Sequence, residues 1–180
     1  AATEFCTLSS PSPTPQTGSE MRIRKAKTAD KAAIWKILEP MIREGETFPL
    51  PRNMTEWEAL EYWFGKGASV FVAEEKGNIL GTYHLTPNQP GGGSHVANGG
   101  YVTAPEARGR GIARTMCLHS FDMAKTLGYR AMQYNLVVST NEAAVHLWQD
   151  CGMKLIGRLP GAFHHPEKGD VDALVMYRTL

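Results

Sequence analysis

The sequence predicts an α/β (α+β) chain built on a mixed, mostly antiparallel sheet of about seven strands, with helices on both faces. The first observation is the order of the apolar patterns, which follow strand and helix periods as β-α-α-β-β-β-α-β-α-β-β. The second is a Lys-Gly-Asn turn at residues 76–78, which joins two strands into an antiparallel hairpin. The third is a pair of later helices between strands, which are the crossovers that parallel neighbours need.

The composition indicates a chain with nearly balanced charge, since its 180 residues carry a formal net charge of +1. That balance favours neither a nucleic-acid partner nor an anionic membrane surface, and no apolar run reaches the roughly 20 residues that span a bilayer. The cysteines Cys6, Cys117 and Cys151 lack metal-ligand spacing and suit a reducing compartment. We therefore expect a cytoplasmic protein without a metal, and we leave a homodimer open.

Residues 1–20 differ in composition from the rest of the chain. They are rich in Ser, Thr and Pro, and the run Pro11-Ser12-Pro13-Thr14-Pro15 cannot hold a helix or a central strand. We expect residues 1–20 to be a disordered or appended tail, with Met21 as the natural start of a single domain at 21–180.

The domain opens with an alternating strand from Met21 to Lys27, followed by a helix. Thr28 or Asp30 is the expected N-cap of that helix, and Gly45 ends it. Its apolar stripe consists of Ala33, Ile34, Ile37, Leu38, Met41 and Ile42.

A second helix begins at a capping-box pattern formed by Thr55 and Glu58. Such an aromatic helix usually belongs to the core, and the alternative is one wall of a substrate pocket. Its large apolar residues are Trp57, Leu60, Tyr62, Trp63 and Phe64.

Three strands follow, and the last of them leads into the segment that carries the functional argument. The strands are Ser69 to Glu75, Ile79 to Leu85 and His95 to Thr103. After Ala104-Pro105 comes the hexad Arg108-Gly109-Arg110-Gly111-Ile112-Ala113, and then an apolar helical stripe up to Leu127.

The hexad is therefore a strand-to-helix turn with two glycines. Glycine lets the backbone bend and lets a ligand approach closely. The first-turn N–H groups of the new helix lack internal partners, and such helix ends bind phosphate. Each charge-assisted hydrogen bond there contributes roughly 1.5–3 kcal/mol. We favour an anion site over the alternative, in which the glycines serve packing alone.

The remaining elements complete the sheet. We predict a strand from Arg130 to Ser139, then a helix through Asp150 that Thr140 or Asn141 caps. A strand at 154–159, a loop at 160–168 and a last strand at 171–180 follow.

Two of these segments resemble the motifs of the GNAT superfamily of acetyl-CoA-dependent N-acetyltransferases. Arg108, Gly111 and Ala113 match its Gln/Arg-x-x-Gly-x-Gly/Ala signature, and the stretch 141–153 resembles its second motif. The resemblance implies the GNAT fold and direct transfer of an acetyl group from acetyl-CoA to an amine. It also implies that the two parallel strands splay apart to admit the pantetheine arm. The implied cofactor-binding residues are Val102, Thr103, Arg108, Gly109, Arg110, Gly111, Ile112, Ala113 and Asn141.

Several stretches in the second half of the chain form a closer match within the superfamily: 80–83 with 87–88, 94–100, 135–137 with 140–141, and 171–173. On these stretches the chain resembles the yeast-type enzymes that acetylate proline analogues such as azetidine-2-carboxylate. This likeness implies a small-molecule amine acceptor, an amino or imino acid, bound by Asn98 and Asn135. It marks Asn135 and Asn141 as catalytic, although a helix N-cap explains Asn141 equally well. His84 and His95 are candidate proton relays, and for each we favour a structural role.

One departure from the superfamily pattern concerns Trp148, which stands where many relatives have a tyrosine that protonates the leaving thiolate. The indole N–H is only a hydrogen-bond donor, so Trp148 cannot act as a general acid. Two alternatives to the small-molecule enzyme stay open. One is acetylation of a protein or peptide amine, and the other is a non-catalytic GNAT-like module that binds acyl-CoA.

Overall fold

The computed structural model describes residues 20–180, which form seven strands and four helices in the predicted order. The strands are β1 Arg22–Lys25, β2 Ser69–Glu75, β3 Asn78–Pro87, β4 Val96–Thr103, β5 Ala131–Val138, β6 Lys154–His165 and β7 Gly169–Thr179. The helices are α1 Lys31–Glu44, α2 Glu56–Trp63, α3 Ile112–Thr126 and α4 Glu142–Asp150. The predicted tail lies outside the described residues except for Glu20. No helix within 20–180 has the length and hydropathy of a membrane span.

The strands form one sheet in the order β1-β2-β3-β4-β5-β7-β6. All neighbours are antiparallel except β4 and β5, which confirms the predicted mixed sheet. Within the described chain, β4 and β5 pair only at Val96 with Ala131 and at Ala97 with Met132. Beyond these two rungs the strands separate, as the resemblance implied, and we call the space between them the gap.

The helices cover both faces of the sheet. Trp63 of α2 is fully buried and its indole N–H donates to Thr82 Oγ1 at 3.1 Å, so α2 packs on the face that carries Thr82. This contact supports the core interpretation of the aromatic helix for Trp63. The neighbouring Gly81 points to the other face, where a Cβ would lie 2.9 Å from Cε of Met116 in α3. We call these two sides the α2 face and the α3 face.

The helix starts follow local chemistry. The Thr55–Glu58 capping box is confirmed: Glu58 N–H donates to Thr55 Oγ1 at 3.3 Å, and Thr55 N–H donates to Glu58 Oε2 at 2.7 Å. Asp30 stands at the N-cap position of α1 but does not cap it with its side chain. Its carboxylate instead accepts from Lys27 N–H at 2.6 Å and from the Arg24 guanidinium at 2.7 and 2.9 Å. These bonds hold the short 3-10 turn before α1 and lower the pKa of Asp30.

The prediction of a loop at 160–168 is wrong for residues 160–165, because β6 continues through Pro160 to His165. A proline removes one backbone donor, which an edge strand tolerates since its outer N–H groups have no strand partner. The register against β7 shifts between Leu159 and Phe163, and Gly161 adopts φ of +60° within that shift. A β-bulge therefore lets the strand continue through residues whose sequence is typical of a loop.

Candidate active site

The glycine turn between β4 and α3 has the conformation that its sequence requires. Gly109 and Gly111 have φ of +77° and +76°, in the left-handed region that costs other residues about 1–2 kcal/mol. A Cβ built on either glycine would meet no atom of residues 20–180 within 4 Å. The two glycines are thus needed for backbone conformation and leave open space above the turn.

That open space is part of a cleft of about 300 Å³ between the first turns of α3 and α4. Gly111 is the N-cap of α3, so the unpaired N–H groups of the first turn lie at the cleft. Hydrogen-bond donors and open volume therefore coincide, which is the arrangement that binds an anion. The cleft is lined by Thr103, Ala107, Arg108, Gly109, Gly111, Ile112, Ala113, Arg114, Ala143 and Leu147.

The two arginines of the turn have different surroundings. Arg108 lines the cleft and lies 3.9 Å from Glu44, a loose pair between exposed side chains. The Arg110 guanidinium instead donates to both carboxylate oxygens of Glu75, at 2.9 and 3.0 Å. It lines a larger groove of about 620 Å³ beside α1 and the β2–β3 hairpin. Of the two arginines, only Arg108 lines the glycine cleft.

The gap between β4 and β5 begins where their pairing ends. The β5–β7 register shifts between Tyr134 and Val137, so Asn135 and Leu136 form a bulge beside the gap. On its other edge β4 pairs continuously with β3 as far as Thr103. The β4 main-chain groups that face β5 beyond Ala97 therefore lack a strand partner within residues 20–180, and such groups need one.

Comparisons with known proteins match this architecture. The model of the Acetyltransferase (GNAT) family covers residues 32–153. The chain belongs to this family. N-acetyltransferase aca1 of Schizosaccharomyces pombe is 30% identical, across 74% of this chain and 72% of the relative.

Solved structures agree with the family assignment. A GCN5-related N-acetyltransferase from Kribbella flavida is 40% identical, with a TM-score of 0.85, and the match covers 89% of this chain and 98% of that one. A phosphinothricin acetyltransferase from Sinorhizobium meliloti, solved in complex with acetyl-CoA, has the same fold at 21% identity and a TM-score of 0.79, over 89% and 88% of the two chains. The chain is an N-acetyltransferase with the GNAT fold.

On the α3 face of this GNAT acetyltransferase, two tyrosines bridge the gap. The Tyr134 hydroxyl donates to Tyr101 Oη at 2.9 Å, so side chains connect β4 and β5 where the backbone does not. Tyr101 in turn lies 2.6 Å from Ser120 Oγ, and the Ser120 hydroxyl donates to the Cys117 carbonyl at 2.6 Å. A carbonyl can only accept, so Tyr101 must donate to Ser120. Each of the three hydroxyl groups therefore donates its hydrogen to the next group in this series of hydrogen bonds.

Trp148 packs against this bridge. Its ring centroid lies 5.0 Å from that of Tyr101 and 5.4 Å from that of Tyr134. Burial raises the pKa of both tyrosines, and neither hydroxyl donates into the glycine cleft. The bridge therefore provides no evident general acid in place of the missing tyrosine at position 148.

The three asparagines occupy different environments. Asn98 is half-buried on β4, opposite Thr86 of β3. Asn135 is exposed, and its Oδ1 accepts from Gln133 Nε2 at 2.9 Å. Asn141 Oδ1 accepts from Ala144 N–H at 3.3 Å, which is an N-cap of α4. The geometry accounts for Asn141 structurally and leaves its catalytic assignment a prediction.

The two candidate relay histidines also differ. His95 precedes β4 at the end where β4 and β5 are paired, and its carbonyl accepts from Arg130 N–H at 2.8 Å. His84 is 6% exposed on the α2 face, stacked on Trp63 with ring centroids 4.3 Å apart. Burial lowers the pKa of His84 to about 4, an effect that the Trp63 carbonyl partly offsets. From the sequence, His84 was only a histidine within an apolar strand, and nothing indicated that Trp63 of α2 would contact it.

Proposed function

We propose that this N-acetyltransferase holds acetyl-CoA in the glycine cleft and across the gap. The pyrophosphate would rest on the first-turn N–H groups of α3, where Gly109 and Gly111 leave open space. The amide-rich pantetheine arm would pair with the free edge of β4 at Val102 and Thr103, as an added strand does. The thioester would then lie in the gap, and a free main-chain N–H there would polarise its carbonyl.

The acceptor, we propose, is a small amino or imino acid that enters from the α2 face. The adjacent residues of β4 and β5 on that face are the neutral amides of Asn98, Gln133 and Asn135, which suit a zwitterion. Among residues 20–180 no group of three or more His, Cys, Asp or Glu side chains is placed to hold a metal ion. A site of neutral amides gives a polycationic acceptor no particular attraction.

In the proposed reaction the amine nitrogen attacks the thioester carbon. The N–C bond forms, the C–S bond breaks, and coenzyme A leaves as a thiolate. The nitrogen loses a proton on the way to the amide, and the thiolate takes its proton from solvent, since Trp148 cannot supply one. The single observation that carries this proposal is the gap: β4 and β5 stop pairing after Ala97 and Met132, and the glycine cleft lies where β4 ends.

Thiol release from acetyl-CoA across a panel of amines tests the proposal. The panel contains azetidine-2-carboxylate, proline, small amino acids, a polyamine and a peptide with a free N-terminus. We expect the highest kcat/KM for an amino or imino acid. A clear preference for the peptide would overturn the acceptor assignment, and binding of coenzyme A without any turnover would overturn the proposed chemistry.

A further inference from the structure

His84 and Asn135 lie on the two strands that neighbour β4. His84 of β3 pairs with Gly100 of β4, and Gly100 is three residues beyond Ala97, the last β4 residue paired with β5. Ala97 pairs with Met132, and Asn135 is likewise three residues beyond Met132, on the part of β5 that has separated from β4. Side chains of paired residues on neighbouring strands point to the same face, and alternation along each strand places His84 and Asn135 on the α2 face. His84 and Asn135 are therefore on either side of β4, near the point where the gap opens.

Gly100 lets the imidazole of His84 and the ring of Phe48 lie close to the backbone of β4. A Cβ at this position would lie 3.0 Å from His84 Nε2 and 3.3 Å from Phe48 Cε1. Both distances are tighter than ordinary van der Waals contact, so a side chain at residue 100 would displace the imidazole or cover its outer nitrogen. Because residue 100 is glycine, His84 Nε2 lies over the backbone of the strand that borders the gap.

The tautomer of His84 follows from its other nitrogen. Nδ1 lies 3.3 Å from the Trp63 carbonyl oxygen, and a carbonyl accepts but cannot donate. Nδ1 therefore carries the ring hydrogen, and Nε2 of the neutral ring presents a lone pair. The stacked Trp63 ring and the Tyr62 ring, 4.3 and 5.8 Å away between centroids, restrict the imidazole to this orientation.

We propose that His84 is an acceptor-binding residue of this acetyltransferase: Nε2 accepts a hydrogen bond from an N–H of the attacking amine. An amine that donates its N–H to Nε2 keeps its own lone pair for the thioester carbon. A secondary cyclic amine has a single N–H as the free base, and this interaction would use it. The inference rests on the proposed function, since it assigns a residue to the acceptor side of that site.

The test replaces His84 by Leu, which removes the acceptor atom, and by Gln, whose amide oxygen can replace it in part. The matched control is His119→Leu, which removes an imidazole from the α3 face, where Nδ1 lies 2.7 Å from the Tyr83 hydroxyl. The measurements are kcat and KM for the best amine, the Kd of coenzyme A by calorimetry, and Tm. We expect His84→Leu to lower amine kcat/KM by roughly 10-fold or more, His84→Gln to retain more activity, and coenzyme A binding to change less than twofold.

Gly100→Ala tests the same point in a variant whose residue 84 is still histidine. It should lower amine kcat/KM in the same direction, with His119→Leu at wild-type kcat/KM after correction for the folded fraction. Wild-type amine kinetics in His84→Leu, or in Gly100→Ala if His84→Leu does not fold, would overturn the inference and leave the proposed function standing. An equal loss in His119→Leu would also overturn it. A wild-type protein that turns over no amine would instead overturn the proposed function.

Discussion

The two sides of the gap differ in what they are made of. The proposed cofactor side consists of backbone, namely the open glycine turn and the first-turn N–H groups of α3. The proposed acceptor side consists of side chains, with His84 on β3, Asn98 on β4 and Asn135 on β5. A backbone site is encoded by a few adjacent residues, whereas a side-chain site depends on the register of strands that are distant in sequence.

The largest expected effect is on the proposed acceptor side, where His84 makes the stability of the protein depend on pH. The pKa of His84 is about 4 in the folded protein, against the usual 6.5 for an unfolded histidine. Between these two pH values His84 binds a proton in the unfolded chain but not in the folded protein. The contribution of His84 to the free energy of unfolding therefore falls by about 3 kcal/mol as the pH drops from 6.5 to 4.

Chemical denaturation at pH 7 and pH 4.5 measures this effect. We expect His84→Gln to reduce the pH dependence of the unfolding free energy and His119→Gln to reduce it less. An unchanged slope in His84→Gln would show that the imidazole is not buried in its neutral form.

A second prediction tests the backbone character of the cofactor side. Gly111→Ala adds a methyl group to the open cleft, and we expect the Kd of coenzyme A to rise roughly 30-fold through loss of about one charge-assisted hydrogen bond. Gly128→Ala is a matched control at the other end of α3, since Gly128 has φ of +89° and equally open surroundings within residues 20–180. Calorimetry should find a similar loss of stability in both variants and weaker binding in Gly111→Ala alone.

A third prediction concerns the side-chain character of the acceptor side. Asn135→Ala should lower amine kcat/KM by about 10-fold, the effect of losing one or two hydrogen bonds to the acceptor. Gln133→Ala should lower kcat/KM less, because it leaves the Asn135 amide in place and removes the group that donates to Asn135 Oδ1. Steady-state kinetics with saturating acetyl-CoA distinguishes them, and wild-type kinetics for Asn135→Ala would remove this residue from the site.

The smallest expected effect lies in the arginines of the turn. Arg110 is paired with Glu75, so Arg110→Gln should change the Kd of coenzyme A by less than about threefold, the range of an exposed charge pair. Arg108→Gln should have the larger effect of the two, because Arg108 lines the cleft. A tenfold loss in Arg110→Gln would mean that its side chain leaves Glu75 and contacts the cofactor.

The sequence predicted the glycine turn well because the requirements of the turn are local. Gly111 must adopt a positive φ, and the apolar stripe of α3 begins beside it, so the turn could be recognised without any tertiary contact. The order of the elements and the separation of β4 from β5 were also predicted. The separation of β4 from β5 was predicted from the family motif, because no local pattern in the two strands reveals it.

The acceptor side could not be predicted to the same depth. The stacking of His84 on Trp63 joins two residues from different elements, and the placement of His84 and Asn135 on either side of β4 depends on the register of three strands. Asn135 lies inside β5 as predicted, but the sequence showed neither the bulge at Asn135–Leu136 nor the exposure of the Asn135 side chain. Pro160 was misread for a related reason, since a proline ends a central strand but not an edge strand.

The interrupted strand β6 has a consequence for the behaviour of the protein at high concentration. β6 is the last strand of the sheet, and Leu155, Ile156 and Leu159 are 44%, 58% and 42% exposed along it. A long, flat, apolar edge of this kind recruits further strands and polymerises. Pro160 and the bulge after Leu159 bend the ladder and remove a donor immediately beyond these residues. Pro160 and the bulge, which made this part of β6 resemble a loop in the sequence, thus oppose the pairing of β6 with further strands.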